Sequence, residues 1–208
     1  PFADIYQIAV DGSQPAKGLL RSKLDERHPF WAQGDKLLFQ SSETGSGSNA
    51  DIWYLPSTID QAAIPVWVDD FTNWSPSLSP DGRYVVYQSN ESGKWEIYVR
   101  EFPSGIGKRT ISIDGGYAPK WSRQSDEVFY VKDNTIIAIP VTLDPTFLAG
   151  KSTRLFSGDK LKAYLAGATD FFYDVSPNGE RFAIVQNMGD GAQSAVIVQN
   201  WYAEFKDR

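Results

Sequence analysis

One unit of sequence recurs along the chain, and this internal repeat constrains the possible folds more than any other feature. In each copy an apolar anchor residue leads through a tight turn into a short run of large, strand-favouring residues. The turn is clearest at Ser79-Pro80-Asp81-Gly82 and at Ser176-Pro177-Asn178-Gly179, where proline presets φ and glycine accepts a positive φ. The anchors recur at intervals of about 45 residues, and they are Trp31, Leu78, Trp121 and Val175.

A second recurring segment follows each turn and its strand, after a polar loop. It reads as a third strand in every copy, and the copies are Asp51-Ile52-Trp53-Tyr54-Leu55, Glu96-Ile97-Tyr98-Val99-Arg100, Thr135-Ile136-Ile137-Ala138-Ile139 and Ser194-Ala195-Val196-Ile197-Val198. Another copy, Asp4-Ile5-Tyr6-Gln7-Ile8, opens the chain without preceding strands. Shorter β-rich runs supply a fourth, outer strand. Four antiparallel strands in about 40–45 residues are typical of a propeller blade.

The repeat therefore predicts an all-β fold, a β-propeller of four-stranded antiparallel blades with four to five blades present. A generic β-sandwich with coincidental Pro-Asp-Gly turns is the alternative, and it would not produce copies in the same register. We expect one partial propeller domain over residues 1–208. Its expected units, the first of them partial, are 1–26, 27–69, 70–114, 115–158 and 159–208.

The best-preserved copy resembles a known repeat family. Ser79-Pro80-Asp81-Gly82, the strand that follows it and Glu96-Ile97-Tyr98-Val99 are similar to the WD40-like (PD40) repeat of TolB-like propellers. The segment from Tyr173 to Tyr202 resembles the closing blade of propellers fused to bacterial Ser/Thr kinases and winged-helix regulators. The turns near Gln33 and Gln124 depart from the pattern because they lack the proline.

This resemblance implies a fragment of a six-bladed ring, with the strand before each turn innermost. It implies inner strands near Phe30, Ser77, Lys120 and Tyr173, a chain that begins in mid-blade, and about one and a half blades upstream of Pro1. It also implies a periplasmic or otherwise extracytoplasmic location in bacteria. The resemblance indicates the fold strongly and the function weakly, because one fold serves many functions.

Composition excludes several classes of partner. The net charge is −6, from 20 basic and 26 acidic residues, and the basic residues do not cluster. Nucleic acid and anionic membrane surfaces both require a basic patch, so we expect no nucleic-acid partner. The sequence holds no apolar run of about 18 residues, so we expect no direct membrane insertion within this chain.

Groups able to carry catalysis are scarce. The chain has no Gly-x-Ser-x-Gly elbow, no cysteine and a single histidine, His28, which directly precedes Pro29. A zinc site needs several histidine or cysteine ligands. Asp69-Asp70, Asp114-Gly115-Gly116 and Asp190-Gly191 could offer oxygen ligands to calcium, but none matches an EF-hand loop. We therefore predict no catalytic residue, no metal and no cofactor.

The repeat alignment points to one candidate binding surface. Arg27, Trp74, Tyr117 and Phe171 occupy equivalent positions just before the inner strands, where entering loops surround one mouth of a propeller channel. Trp, Tyr and Arg are the residue types most common at binding hot spots. His28 and Tyr164, the latter in the long segment 160–170, extend the candidate site. Alternatively, these rings cap the core between blades.

These observations favour a non-catalytic binding module for a protein or small ligand at the channel-mouth loops, such as a sensory or scaffolding domain of a bacterial signalling or envelope protein. A substrate-gating propeller of a peptidase is one alternative, whose catalytic residues would lie outside the chain. A carbohydrate-active propeller enzyme, with its site assembled from distant loops, is another.

Overall fold

The computed structural model describes residues 4–20, 22–32, 35–43, 49–56, 62–123, 126–167, 172–176, 179–187 and 193–199. Its regular elements are strands, apart from one 3₁₀ turn at Asp159–Leu161. The described part of the chain has no helix with the length and apolar character of a transmembrane span. The all-β prediction is confirmed.

The strands form consecutive antiparallel sheets in chain order. A two-stranded sheet, β1 (Ile5–Gln7) and β2 (Lys17–Leu20), comes first. Two four-stranded sheets follow, each in the order in which the chain makes its strands: β3 (Asp25–Ala32), β4 (Lys36–Ser42), β5 (Asp51–Leu55) and β6 (Ile64–Pro65), then β7 (Asn73–Leu78), β8 (Tyr84–Ser89), β9 (Glu96–Glu101) and β10 (Arg109–Thr110).

The remaining sheets depart from the four-strand pattern. The first of them contains β11 (Tyr117–Trp121), β12 (Glu127–Lys132), β13 (Thr135–Thr142), β14 (Leu148–Ala149) and β15 (Thr153–Ser157), because the long β13 pairs with both β14 and β15. The last sheet contains β16 (Tyr173–Val175), β17 (Arg181–Asn187) and β18 (Gln193–Gln199).

Alternate residues of the central strands belong to different cores, which shows that the sheets stack face to face. In β8, Val85 and Tyr87 pack against the preceding sheet, whereas Tyr84 and Val86 pack against the following one. Side chains point to opposite faces along a strand, so burial of every residue in β8 means that both faces of this sheet are covered. This is the packing of a propeller blade.

The β12 strand repeats the arrangement one blade further along. Its residues Val128 and Tyr130 share a core with β8 and β9, while Phe129 shares the next core with Phe182 of β17. The rings of Phe129 and Phe182 meet edge to face with centroids 5.1 Å apart. The three middle blades are thus each held by apolar side chains from both of their neighbours.

Candidate functional site

The inner strands β3, β7 and β11 share a backbone irregularity that shapes the channel wall. Each has a break in its pairing with the second strand of its blade, between Arg27 and Phe30, between Trp74 and Ser77, and between Tyr117 and Lys120. The residues in the bulges have positive φ values of 51° at His28, 53° at Ser75 and 51° at Ala118.

Each of these three residues directly precedes a proline, namely Pro29, Pro76 or Pro119. Left-handed backbone at a residue other than glycine costs about 1–3 kcal/mol, and it tends to occur at functional sites. Because the bulge recurs in three consecutive blades, it is a regular feature of the inner wall and not a local defect.

Two glutamines at equivalent positions of the second strands support these bulges. Gln40 Oε1 lies 2.8 Å from Nδ1 of His28 within one blade. Gln88 Oε1 accepts a hydrogen bond of 2.6 Å from the backbone N–H of Ala118 in the next blade. Both glutamines are buried, so these bonds satisfy groups that water does not reach.

The bulges line an open cavity of about 340 Å³, which we call the upper chamber. Its walls are three tripeptides at equivalent positions of consecutive blades, namely His28-Pro29-Phe30, Ser75-Pro76-Ser77 and Ala118-Pro119-Lys120. Prolines fix φ and carry no N–H, which makes this wall stiff and poor in backbone donors. The chamber therefore suits an apolar group.

A larger cavity of about 560 Å³, the lower chamber, lies toward the turns that follow the inner strands. Both chambers are lined by Phe30, Ser77 and Lys120, which occupy one equivalent position in three blades. The corresponding residue of the fourth inner strand, Asp174, lines the lower chamber. One position of the repeat thus places an aromatic ring, a hydroxyl, a cation and an anion around the channel.

Charge in the lower chamber is carried by three side chains. Lys120 Nζ lies 3.0 Å from Asp174 Oδ1, and it also stands 5.7 Å above the ring of Tyr173. The Lys120 side chain is 28% exposed and that of Asp174 is 74% exposed. Arg123 lines the same chamber and has no carboxylate partner among the residues that the structure describes.

Arg27, Trp74 and Tyr117 do not stand on entering loops. They lie within the inner strands, where they pair with residues of the second strands ahead of the bulges. Trp74 is buried and stacks on Trp95 with ring centroids 5.1 Å apart, so it presents little surface to a ligand.

Arg27 is exposed, and its Nε lies 2.6 Å from Oδ2 of the buried Asp25. Tyr117 is half-buried against the core between the last two blades. Of the candidate residues that the structure describes, His28 alone contributes to a chamber wall. Tyr164 is exposed near Phe172, away from both chambers, and Phe171 lies outside the described residues.

Sequence reasoning missed the residues that line the channel, although a signal was present. Pro29, Pro76 and Pro119 each stand two positions before an anchor residue. The residue between proline and anchor is the one that reaches both chambers, at Phe30, Ser77 and Lys120. The repeated proline therefore marks the channel wall more reliably than the aromatic residues did.

The acidic segments considered for calcium have other roles where the structure describes them. Asp69 Oδ1 accepts hydrogen bonds from the N–H of Phe71 and from Asn73 Nδ2, and Asp114 pairs with Lys94 Nζ at 2.8 Å. Asp190 and Gly191 lie outside the described residues. Within the described ranges no three His, Asp or Glu side chains are close enough to hold a metal ion.

Comparisons with known proteins support the propeller fold. No protein-family model matches the sequence, and no curated protein matches it. The solved structure of TolB from Acinetobacter baumannii superposes with a TM-score of 0.70 at 18% identity, over 93% of this chain and 45% of that one. The chain has the fold of a TolB-like β-propeller.

Other solved structures share this propeller fold. A TolB described as putative from Agrobacterium tumefaciens superposes with a TM-score of 0.69 at 15% identity, over 94% of this chain and 70% of that one. An oligogalacturonate lyase in complex with manganese superposes with a TM-score of 0.63 at 12% identity, over 94% of this chain and 54% of that one. TolB proteins and a propeller enzyme are both similar, and likeness at this identity shows the fold alone.

The chain spans about half the length of the Acinetobacter TolB. Residues of three inner strands line the upper chamber, and residues of four inner strands line the lower one.

Proposed function

We propose that this propeller is a non-catalytic binding module whose ligand enters the central channel along the inner strands. The observation that carries the proposal is the recurrence of the Xaa-Pro bulge in three consecutive blades. Strained backbone of this kind is retained where it shapes a surface that function requires. The ring of unlike side chains at Phe30, Ser77, Lys120 and Asp174 offers apolar, hydrogen-bonding and charged contacts together.

The two chambers support binding because of their size and chemistry. Their volumes, about 560 and 340 Å³, lie in the range of ligand pockets, and Phe30, Ser77 and Lys120 line both of them. His28, the one histidine of the chain, uses Nδ1 to contact Gln40, which gives it a structural role in the bulge. The favoured occupant is a segment of a protein or a small ligand.

The proposal extends to the wider role of the protein. We place the propeller outside the bacterial cytoplasm, as a sensory or scaffolding domain of a signalling or envelope protein. The support is the resemblance of its repeats to TolB-like propellers and its superposition on two bacterial TolB structures. Fractionation of cells that express the full-length protein tests this location, and recovery in the cytoplasm alone would contradict it.

A blocked channel tests the binding function. Asp174 is exposed and lines the lower chamber, so Asp174→Trp places an indole in the channel without disturbing a core. We expect immobilised wild-type protein to retain a cellular protein or metabolite that Asp174→Trp does not retain. Lys151→Trp, at an exposed position away from both chambers, is the matched control and should retain it.

Retention that is equal in wild type and both variants, with thermal unfolding unchanged, would show that the channel is not the binding site. Quantitative mass spectrometry of the retained material gives the comparison directly.

A further inference from the structure

A buried polar atom without a partner lies where two blades meet. The start of β5 and the entry to β7 come together here through Asp51, Asp69 and Asn73, which we call the Asp51 junction. Asn73 is fully buried, and its Oδ1 has no hydrogen-bond partner among the residues that the structure describes. A buried acceptor left in this state is costly, so this oxygen favours a neighbour that can donate to it.

The neighbours of the Asn73 amide are carboxyl groups. Its Nδ2 donates a hydrogen bond of 2.8 Å to Oδ1 of Asp69, and the amide also bonds to the carboxyl group of Asp51. An ionised carboxylate only accepts hydrogen bonds, whereas a carboxylic acid also donates one. A proton on Asp51 therefore supplies the kind of donor that Asn73 Oδ1 lacks.

The surroundings of Asp51 favour that proton. The carboxylates of Asp69 and Asp70 face it, and the guanidinium of Arg100 lies on Asp69, with Nη2 3.6 Å from Oδ2. Burial, followed by these two carboxylates, raises the pKa of Asp51 to about 6. Asp51 consequently takes up a proton in mildly acidic solution.

The next junction along the chain holds a lysine where the Asp51 junction holds none. Glu96 begins β9 as Asp51 begins β5, and Lys94 Nζ lies 3.4 Å from Glu96 Oε1 and 2.8 Å from Asp114 Oδ1. The residue in the place of Lys94 at the Asp51 junction is Asn49, which carries no charge. A proton at the Asp51 junction thus relieves the carboxylate repulsion that an ammonium group relieves at the Glu96 junction.

The Asp51 junction holds the inner strand that carries the second bulge. The Asn73 N–H donates a hydrogen bond of 2.7 Å to the Ala50 carbonyl, which joins the two blades directly beside Asp51. Asn73 stands two residues before Ser75, whose positive φ marks a bulge that lines the upper chamber. The firmness with which Asn73 is held therefore affects the channel wall.

We infer that Asp51 and Asn73 form a proton-operated latch between two blades. In mildly acidic solution the carboxylic acid of Asp51 donates its O–H to Asn73 Oδ1, and the inner strand β7 is held to the preceding blade. When the proton passes to water, the bond is lost and a carboxylate returns beside Asp69, so the junction loosens. The inference goes beyond the proposed function, because it concerns the wall of the channel and requires no ligand.

Carbon-13 NMR of the two side chains tests the bond itself. As the pH falls, the Asp51 Cγ signal should titrate with a midpoint at about pH 6. The Asn73 Cγ signal should move with the same midpoint, because its carbonyl oxygen gains a hydrogen bond. In Asp70→Asn, which removes a facing carboxylate, both midpoints should shift together to lower pH. A titration of Asp51 that leaves the Asn73 Cγ signal unchanged would overturn the latch.

Hydrogen exchange of the Asn73 backbone N–H tests how firmly the strand is held. After correction for the intrinsic pH dependence of exchange, its protection should be about fivefold greater at about pH 5 than at about pH 7.5, since one pH unit below the pKa gives about tenfold before solvent screening. The Gly116 N–H, which donates 2.9 Å to the Trp95 carbonyl at the equivalent place, is the internal control. Equal changes at Asn73 and Gly116 would show that the response is not local and would overturn the latch.

Asp51→Asn keeps a donor beside Asn73 at every pH, because the new side chain presents an N–H to Oδ1. At about pH 7.5 this variant should protect the Asn73 N–H as well as wild type does only at about pH 5, with no pH dependence. Asp114→Asn, at an exposed aspartate of the Glu96 junction, is the matched control and should keep the wild-type response. The inference is wrong if Asp51→Asn leaves Asn73 as weakly protected at neutral pH as in wild type, or if Asp114→Asn abolishes the response.

Discussion

The hydroxyl group of Tyr173 donates a hydrogen bond of 2.5 Å to the backbone carbonyl oxygen of Ala118. Tyr173 belongs to the last inner strand and Ala118 to the bulge of the preceding one, so this bond joins two blades at the channel wall. Burial raises the pKa of Tyr173 well above its usual value, which keeps the hydroxyl proton available as a donor.

Tyr173→Phe should lower the free energy of unfolding by about 1–2 kcal/mol, because the buried carbonyl loses its partner. Urea denaturation measures the change. Tyr164→Phe is the control, since Tyr164 is half exposed, and it should stay within about 0.5 kcal/mol of wild type. Equal effects of the two substitutions would contradict the assigned bond.

The Asp51 carboxyl should make stability depend on pH. Burial, followed by the nearby Asp69 carboxylate, raises the pKa of Asp51 to about 6, although an N–H from Asp69 and the Asn73 side chain act in the opposite direction. The folded state therefore binds a proton more readily than the unfolded chain, whose aspartate pKa is about 3.9. The contribution of Asp51 to the free energy of unfolding therefore rises as the pH falls through about 6, and it reaches its full value below about pH 4.

In the wild type, the Asp69 N–H donates a hydrogen bond of 3.1 Å to Oδ1 of Asp51. Asp51→Asn keeps an oxygen that can accept this bond but removes the titrating carboxyl group. Between about pH 7 and about pH 4, wild type should gain about 1 kcal/mol relative to Asp51→Asn, a value reduced for solvent screening. Denaturation of both proteins at each pH measures the difference. A difference that is constant, or that shifts in favour of the variant at low pH, would contradict the raised pKa.

Gly105 should tolerate no side chain. Its φ is +67°, and an added Cβ would lie 2.4 Å from the carbonyl oxygen of Val66 in the preceding blade. Gly105→Ala should destabilise the fold by about 3 kcal/mol, which combines backbone strain with overpacking. At Gly93 φ is +84° and the space is open, so Gly93→Ala should cost only about 1 kcal/mol.

Thermal unfolding of the two alanine variants separates steric overlap from strain. If both lose the same stability, the approach between Gly105 and Val66 is not as close as described.

Arg100 joins several groups through its planar guanidinium. Its Nε donates a hydrogen bond of 2.8 Å to the Tyr87 hydroxyl, and its Nη1 donates one of 2.9 Å to the Gly105 carbonyl. Its Cζ stands 4.5 Å from the centroid of the Trp67 ring. Lysine keeps the positive charge but lacks the planar guanidinium that makes the two hydrogen bonds and stacks on Trp67. Arg100→Lys should therefore lower the free energy of unfolding by about 1–2 kcal/mol. Arg123→Lys, at an exposed arginine, should be nearly neutral in the same denaturation assay.

The sequence predicted the blades well because their signals are local. The Pro-Asp-Gly turn and the alternating strands depend on neighbouring residues, and the predicted third strand Asp51–Leu55 has the same bounds in the structure. The outer strand Ile64–Pro65 is short, and Pro65 offers no N–H to the pairing.

The channel wall was harder to predict. Residues before proline usually avoid the α regions, so the sequence favoured extended backbone at His28, Ser75 and Ala118, where the structure has left-handed backbone. Each bulge inserts residues and changes which side chains face the channel. The aligned aromatic residues, such as Trp74, consequently pack into the wall. Lys120 and Asp174 lie far apart in the sequence, and only the folded structure shows that they line one chamber.

Photo-crosslinking from the channel tests the central claim most directly. Benzoylphenylalanine in place of Trp31, an exposed aromatic residue that lines the lower chamber, puts a reactive group there without adding bulk. The same amino acid in place of Lys151 puts the group outside both chambers. We expect a discrete adduct with a cellular partner from position 31 and none from position 151. Equal labelling from the two positions, or labelling from position 151 alone, would contradict a binding site in the central channel.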